Sequence, residues 1–295
     1  MRKAYIILHI AVLLAGFTGV FGKLISLNEG LLVWYRVFFS AIFLFLLLKL
    51  FKIATTLTPK EKLNIALVGM LISIHWLFFY ASIKYANISI GVVCYCLTSF
   101  FTAIFEPLIN KKPFSIMQLL LSGLTLLGIS LIFHFDASYQ LGITLGVISS
   151  AFAALYTIYN ERLVKIYDST IINYYQMTGS TIGISMVLPL YLYFFPVDTI
   201  LPGTKDLIYL LCLSLFCTAG LYILFAEALK RIPAFTVNLS FNLEPIYSIA
   251  LAFILFNESK ELNFSFYLGL CCVVASVILQ TLFSGLRVRN GSPGN

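Results

Sequence analysis

The sequence predicts an all-α polytopic membrane protein whose ten transmembrane helices form two inverted five-helix repeats. Hydrophobic residues make up 60% of the 295 and charged residues only 11%, and the mean hydropathy is +0.98. This composition excludes a water-soluble core. The apolar residues fall in ten runs of roughly twenty, and the five later runs repeat the five earlier ones with opposite flanking charge.

The ten apolar runs, named spans 1 to 10, are each long enough to cross about 30 Å of hydrocarbon as a helix. They cover about residues 4–22, 30–51, 63–83, 88–109, 115–135, 140–162, 169–194, 206–229, 234–256 and 264–285. Because the loops are mostly short, we expect neighbouring helices to be antiparallel, with no domain outside the lipid. Span 1 lacks a signal-peptide cleavage site before a polar region, so we expect it to be retained.

Positive charge is distributed unequally when the loops are placed alternately on two sides. One side receives Arg2, Lys3, Lys49, Lys52, Lys60, Lys62, Lys111, Lys112, Arg162, Lys165, Lys230, Arg231, Arg287 and Arg289. The other side receives only Lys23, Lys84, Lys205 and Lys260, and Arg36 falls inside span 2. Cytoplasmic loops carry the excess of cations, so we expect a protein of the cell membrane with both termini in the cytoplasm. The cations form no basic patch interleaved with aromatic residues, and no nucleic-acid partner is expected.

An internal repeat appears when the sequence is shifted by 146 residues, which aligns about 79–132 with 225–278. Identical pairs are Phe79/Phe225, Lys84/Lys230, Leu97/Leu243, Gly123/Gly269, Leu124/Leu270, Ser130/Ser276 and Ile132/Ile278. The loop after span 4 carries Lys111 and Lys112, whereas the equivalent loop after span 9 carries Glu258 and Glu261. Five spans is an odd number, so the second copy must enter the membrane from the other side, as these charges indicate. We therefore predict repeats over residues 1–137 and 138–295.

Spans 2 and 7 are related by a slightly different shift. Tyr35-Arg36 resembles Tyr175-Gln176, and Ser40 and Ser180 follow four residues after Arg36 and Gln176. The shift of 140 residues predicts a shorter connection in the second half.

No cofactor or metal is predicted. The six cysteines all lie inside apolar runs without C-x-x-C spacing: Cys94, Cys96, Cys212, Cys217, Cys271 and Cys272. We interpret them as small core residues. The three histidines are far apart in the sequence, which argues against a metal cluster.

Ionisable groups inside a bilayer are costly unless they face protein or water, so each is a functional hypothesis by default. Glu244 in span 9 precedes Pro245, whose ring frees the carbonyl of Phe241 and kinks the helix. Either this kink forms part of a polar midplane site, or Glu244 packs against a neighbouring helix and stabilises it. Polar residues share this region of span 9: Asn238, Ser240, Asn242 and Ser248.

Glu227 in span 8 has two interpretations. It lies three residues before Lys230 and four before Arg231, so a surface ion pair explains it without any transport role. If the helix turns this carboxylate inward, Glu227 becomes a candidate for proton coupling beside Glu244.

Span 3 combines a titratable ring with aromatic surface. His75 is adjacent to Trp76, and Tyr80 follows one turn later. These rings could stack on a planar or cationic substrate, or His75 could be a hydrogen-bonded packing residue. Arg36 either pairs with a carboxylate or helix-end carbonyls of the protein, or binds a substrate carboxylate.

Two further spans carry polar stripes at helical spacing. Span 4 has Tyr95, Thr98, Ser99 and Thr102, and span 6 has Tyr156, Tyr159 and Asn160. Such stripes serve helix packing as readily as ligand binding, since each interhelical hydrogen bond contributes only about 0.6 kcal/mol. The predicted substrate-binding set is His75, Trp76, Tyr80, Tyr95, Thr98, Ser99, Tyr156, Asn160, Asn238, Asn242 and Glu244.

The order and spacing of these motifs resemble an EamA-type member of the drug/metabolite transporter superfamily over nearly the whole chain. The motifs are Gly16 with Lys23, Tyr35-Arg36, the segment 79–85, Tyr156, the segment 227–234, the segment 243–246, Asn257-Glu258 and Gly269. The resemblance implies a ten-helix carrier whose cavity is lined mainly by spans 1, 3, 4, 6, 8 and 9. It further implies efflux of amino acids, drugs or other small metabolites.

The predicted function is therefore a permease-like secondary transporter working by alternating access, with proton antiport and facilitated diffusion both open. The chain has no nucleotide-binding P-loop. An intramembrane enzyme is the weaker alternative, since G-x-S-x-G, S-x-x-K, H-E-x-x-H and paired intramembrane aspartates are missing. A lipid-carrier flippase is the other alternative. It needs basic residues for a phosphate headgroup, whereas the deep groups here are mostly acidic or aromatic.

Overall fold

A computed structural model describes residues 2–53, 56–133, 139–248, 251 and 264–289. The regular elements in these ranges are helices. They are α1 (Arg2–Leu24), α2 (Glu29–Leu50), α3 (Pro59–Tyr85), α4 (Ile88–Tyr95), α5 (Leu97–Asn110), α6 (Ile116–Phe133), α7 (Gln140–Leu163), α8 (Ser169–Phe194), α9 (Thr204–Ser214), α10 (Leu221–Leu229), α11 (Ala234–Phe241) and α12 (Phe264–Arg289). A π-helical turn, Leu215–Gly220, joins α9 to α10.

Seven helical stretches in the described ranges are long and apolar enough to cross a membrane. They are Arg2–Leu24, Glu29–Leu50, Pro59–Tyr85, Ile88–Asn110, Gln140–Leu163, Ser169–Phe194 and Thr204–Leu229. Spans 5 and 10 contain shorter apolar helical stretches, Ile116–Gly128 and Tyr267–Leu279. The end of span 9 and the loop with Glu258 and Glu261 lie outside the described residues. The count of ten crossings stays a prediction.

Local sequence signals explain where several helices begin. Thr58 caps α3 in a capping box with Glu61, and Pro59 occupies the first helical turn, where its missing N–H costs nothing. Asn28 caps α2 and Asp168 caps α8 through side-chain oxygens. These two caps are 140 residues apart, the same shift that relates Tyr35 to Tyr175. Equivalent helices of the two halves therefore begin at equivalent residues.

The two halves of the chain interlock. The most extensive helix contacts join α3 to α7 and α8, α2 to α8, α12 to α6, and α1 to α10. Each of these pairs takes one helix from residues 1–137 and one from residues 138–295. The hydrophobic core is consequently shared between the halves, and neither half buries its apolar surface alone.

Two helices are interrupted at equivalent positions. Between α4 and α5 the chain makes a turn at Cys96, and α11 ends at Phe241 before helix resumes at residues 244–248. Asn242 occupies the second interruption, 146 residues after Cys96. The amide N–H groups of Cys96 and Asn242 both bond three residues back, to Val93 and Leu239, at 3.0 and 3.1 Å. Pro245 has no N–H to donate to Phe241, which explains the second interruption.

The helices α3 and α8 approach so closely at Gly69 that no side chain fits. A Cβ atom there would lie 2.5 Å from the Gln176 carbonyl oxygen and 2.6 Å from the Gln176 Cα. Backbone atoms cannot rotate away, so any substitution must separate the two helices.

We predict that Gly69→Ala lowers the stability of the protein by about 1–3 kcal/mol, the usual cost of overpacking. Gly123→Ala is the matched control, because a Cβ atom at Gly123 meets nothing within 4 Å. Thermal unfolding of both variants in detergent tests this. Equal melting temperatures for the two variants would contradict the close α3–α8 contact.

Candidate functional site

A cavity lined mostly by buried residues lies between the helices. It is lined by Ala15, Thr18, Arg36, His75, Trp76, Phe79, Tyr95, Leu221, Tyr222, Phe241 and Glu244. Its volume is about 20 Å³, enough for roughly one or two water molecules. Its walls combine aromatic rings with one cation and one carboxylate, and the Arg36 and Glu244 residues are only 1% and 4% exposed.

Arg36 is held by hydrogen bonds to both halves of the protein. Its Nη1 donates to the Tyr80 hydroxyl at 2.7 Å, its Nε to Thr218 Oγ1 at 2.7 Å, and its Nη2 to the Cys217 carbonyl at 2.9 Å. The guanidinium carbon also lies 3.8 Å from the centre of the Trp76 ring, a cation–π geometry. The guanidinium is therefore fixed in orientation before any ligand arrives.

The π-helical turn supplies two of these acceptors. A π-turn adds one residue to a helix and releases backbone carbonyls from the usual i to i+4 pattern. The Cys217 carbonyl is thereby free to accept from Arg36, and the Thr218 hydroxyl accepts from Arg36 while donating to the Leu213 carbonyl at 3.0 Å. The π-helical turn therefore provides the hydrogen-bond acceptors that the buried Arg36 needs.

His75 is oriented by Ser149 on α7. The Ser149 hydroxyl donates to the His75 carbonyl at 2.9 Å, while His75 Nδ1 lies 2.8 Å from Ser149 Oγ and 3.1 Å from the Ser149 carbonyl. Since the single hydroxyl hydrogen is already used and two oxygens face Nδ1, we assign the ring hydrogen to Nδ1. In the neutral ring Nε2 is then an acceptor, and His75 presents one polar face to the cavity.

Glu244 lies in the cavity wall where α11 is interrupted. No lysine or arginine nitrogen of the described residues lies within 4.0 Å of its carboxylate. The Arg36 guanidinium shares the cavity with it. The interruption that Asn242 and Pro245 create therefore places an acidic group, without a direct ion-pair partner, opposite a fixed cation.

Residues related by the 146-residue shift meet in this cavity. Trp76 contacts Tyr222 with ring centres 5.2 Å apart, and Tyr95 contacts Phe241 at 6.4 Å, both edge to face. The predicted inverted repeat would place its axis close to these contacts.

Four residues of the predicted substrate-binding set line the cavity, namely His75, Trp76, Tyr95 and Glu244. Tyr80 lies behind the wall and accepts a hydrogen bond from Arg36. The other six lie in helix contacts beside the cavity: Thr98, Ser99, Tyr156, Asn160, Asn238 and Asn242.

One group of these six forms a network between α7 and α8. Gln176 Nε2 donates to Asn160 Oδ1 at 2.9 Å, Asn160 Nδ2 donates to the Tyr156 hydroxyl at 3.3 Å, and that hydroxyl donates to Gln176 Oε1 at 3.2 Å. The three side chains are fully buried and hydrogen-bond to one another.

A second group joins α5, α7 and α11. Asn238 donates through Nδ2 to Thr102 Oγ1 at 2.7 Å and accepts from Thr157 Oγ1 at 2.9 Å. Asn242 Nδ2 donates to Ser99 Oγ at 3.2 Å, next to the helix interruption. We name the trio Thr102, Asn238 and Thr157 the polar clamp. Thr98 is buried beside Ser99, and its hydroxyl has no hydrogen-bond partner among the described atoms.

Glu227, the other candidate for proton coupling, lies away from the cavity. Its carboxylate accepts from Lys230 Nζ at 2.5 Å and from Ser169 Oγ at 2.7 Å, and its side chain is 38% exposed. This arrangement matches the surface ion-pair interpretation.

Several cavity residues were outside the predicted set. Arg36 was one of them, although the sequence had indicated it as an ionisable group inside a span. The internal repeat gives a signal for two others. Adding 146 to Trp76 gives Tyr222, and adding 146 to Tyr95 gives Phe241. Applying the repeat to the aromatic candidates would have found both. Thr18 and Leu221 carry no comparable signal, because their exposure to the cavity depends on helix rotation.

Comparisons with known proteins identify the family. A sequence model of the EamA-like transporter family matches residues 2–134 and again residues 140–282. A curated "uncharacterized transporter" of Clostridium kluyveri is 23% identical over 282 residues, covering 89% of this chain and 88% of that protein. A solved structure, described only as the crystal structure of a protein, has a TM-score of 0.70 at 13% identity and covers 96% of this chain and 98% of its own. At that identity the similarity shows a shared fold.

The family match and the long apolar helices agree on what kind of molecule this is. It is a multi-pass membrane protein with a transporter homologue over most of its length. The family matches extend over nearly the whole chain. The chain belongs to the EamA-like transporter family.

Proposed function

We propose that this protein is a secondary transporter, not an enzyme, that exports small metabolites such as amino acids or drug-like compounds across the cell membrane. The observation that carries the proposal is a buried cavity with Arg36 and Glu244 in its wall, at the point where two interrupted helices meet. Broken helices at a repeat interface are typical positions of substrate and coupling-ion sites in secondary transporters. The direction of export rests on the family resemblance.

An inverted repeat of two five-helix units, residues 1–137 and 138–295, is the architecture that we propose for this carrier. The two family matches divide the chain at nearly the same place. The equivalent interruptions at Cys96 and Asn242 and the contacts Trp76–Tyr222 and Tyr95–Phe241 support an axis through the cavity. With ten crossings, both termini lie in the cytoplasm.

The cavity chemistry supports a small substrate that carries charge. Arg36 and Glu244 offer one cation and one anion, and the surrounding rings offer apolar surface. A zwitterion with an apolar side chain complements all three features. Binding sites for small molecules usually enclose at least about 300 Å³, so we propose that the cavity expands when substrate enters.

Contacts between the halves close the end of the bundle that carries Lys84. Ser26 donates through Oγ and its backbone N–H to Asp206, at 2.5 and 3.1 Å. Tyr191 donates to Glu29 at 2.8 Å. We propose that this end faces away from the cytoplasm and that these bonds break when the carrier opens outward.

The polar clamp closes the other end. Thr102 lies on α5 between the cavity residue Tyr95 and the basic loop at Lys111, and Asn238 lies on α11 before the cavity residue Phe241. The clamp joins one helix of the first half to two helices of the second. We propose that it opens when the carrier faces the cytoplasm, with the interruptions at Cys96 and Asn242 as hinges.

Glu244 is the residue that we propose for proton coupling. A carboxylate without a direct ion-pair partner can exchange a proton with the cavity, whereas Glu227 is tied to Lys230 at the surface. Coupling to the proton gradient then requires Glu244 to be charged in one access state and neutral in the other.

We predict that Glu244→Gln abolishes transport driven by a pH gradient while the protein still inserts and folds. Purified protein in liposomes would be assayed for uptake of a panel of radiolabelled amino acids, with Glu227→Gln as the matched control. We expect at least a tenfold loss for Glu244→Gln, equivalent to about 1.4 kcal/mol, and near-normal flux for the control. Normal flux of Glu244→Gln with unchanged pH dependence would refute this assignment.

We also predict that Asn238→Leu loosens the polar clamp. The substitution removes two interhelical hydrogen bonds, each worth about 0.6 kcal/mol, so the open population should rise about fivefold to tenfold. Hydrogen exchange measured by mass spectrometry should show faster exchange in α5 and α11 and unchanged exchange in α1 and α2. Asn64→Leu on the exposed face of α3 is the control. Equal exchange in both variants would exclude the clamp as a gate.

A further inference from the structure

We propose that Arg36 binds the anionic group of the transported molecule, and that Glu244 takes up one proton when this molecule carries no cation of its own. The inference rests on the proposed transport function. It deepens that function by assigning the part of the substrate that each charge recognises and the proton stoichiometry that follows.

Arg36 has donors to spare. A guanidinium carries five N–H groups in a planar fork, and Tyr80, Thr218 and Cys217 accept three of them. The other two have no acceptor among the described residues, although the side chain is buried and forms part of the cavity wall. One spare N–H group is on Nη1 and the other is on Nη2, and donors on these two nitrogens can bond to the oxygens of a carboxylate, an anion that arginine recognises well.

The Trp76 ring and the π-helical turn keep this fork in place. The ring stacks on the guanidinium, and the Thr218 and Cys217 oxygens fix one edge of the fork. A binding group that is already oriented loses little entropy when a ligand arrives. Arg36 is consequently built to receive an anion and not merely to neutralise a nearby side chain.

The charge of the cavity determines the proton stoichiometry. When Glu244 is ionised, its negative charge balances the positive charge of Arg36 in the empty cavity. A bound anion adds one negative charge in a buried site, where an uncompensated charge is costly. Arg36 cannot lose its proton, so the balance is restored when one proton joins the Glu244 carboxylate. A zwitterion brings its own cation to Glu244 and needs no proton.

Other titratable groups face Glu244 and could compete for that proton. They are Arg36 on α2, His75 and Tyr80 on α3, Tyr95 and Cys96 at the first interruption, Cys217 in the π-helical turn, and Tyr222 on α10. Tyrosine and cysteine already hold their protons near neutral pH. His75 is the one competing acceptor, and substitution of Glu244 separates the two cases.

Two probes with the same aromatic ring test the proposal, since rings line the cavity wall. Benzoate is an anion without a cation, and phenylalanine is a zwitterion at pH 7. Isothermal titration of purified protein with each probe, in two buffers of different ionisation enthalpy, gives the number of protons taken up per bound molecule. We expect about one proton with benzoate and none with phenylalanine.

Variants assign the roles of the two residues. Glu244→Gln should still bind benzoate but without proton uptake, and Glu227→Gln should behave like the unmodified protein. Arg36→Gln should weaken the binding of both probes at least tenfold. Because Arg36 is buried and this variant could fail to fold, Glu244→Gln, which preserves size and shape, is the decisive substitution.

Three results would overturn the proposal. They are benzoate binding without proton uptake, proton uptake that persists in Glu244→Gln, and the binding of neither probe to folded protein. Flux in liposomes combined with any of these results leaves the transport function standing and removes this inference alone. Proton-linked binding of benzoate without flux of any substrate would support the assigned roles of Arg36 and Glu244 and would contradict the proposed transport function.

Discussion

A buried guanidinium is the group around which the centre of this molecule is organised. Placing an arginine at the middle of a transmembrane helix costs about 2.5–3.5 kcal/mol even by the mildest scale, so its hydrogen-bond acceptors must be supplied by protein. Here they come from α3 and from the π-helical turn, and an aromatic ring covers one face. The acceptors of Arg36 therefore fix how α2 packs against α3 and against the π-helical turn between α9 and α10. The π-helical turn is explained in the same way, because it supplies two of the acceptors that Arg36 needs.

The pseudo-symmetry of the scaffold makes the difference between its halves informative. By the 140-residue shift that relates Tyr35 to Tyr175, Gln176 is the residue of the second half that corresponds to Arg36. Gln176 is neutral and hydrogen-bonds with Asn160 and Tyr156, so this position in the second half serves packing. By the 146-residue shift, Thr98 is likewise the residue of the first half that corresponds to Glu244. Each half thus contributes one ionisable residue where the predicted repeat has a neutral one, and both ionisable residues line the cavity.

Much of this arrangement was predictable from residue types alone. Ionisable or aromatic residues in otherwise apolar spans are expensive to bury, which is why His75, Trp76, Tyr95 and Glu244 could be selected and do line one cavity. Polar stripes were less informative. A threonine or asparagine is inexpensive enough to be used for helix contacts, and which way it faces is decided by helix rotation. Asn238 therefore lies between Thr102 and Thr157, where spacing alone gave no way to distinguish a clamp from a binding group.

The proposed alternating-access mechanism requires closing contacts of modest strength. If the two ends of the bundle were held by strong ion pairs, neither end could open within the energy that one substrate or one proton supplies. The polar clamp instead consists of two neutral hydrogen bonds, and the opposite end relies on a few bonds to Asp206 and Glu29. Interhelical bonds of this kind contribute little individually, so small changes in cavity charge can decide which end opens. In the proposed mechanism the strongly held charge at Arg36 stays fixed, while the weaker contacts at the two ends of the bundle break and re-form.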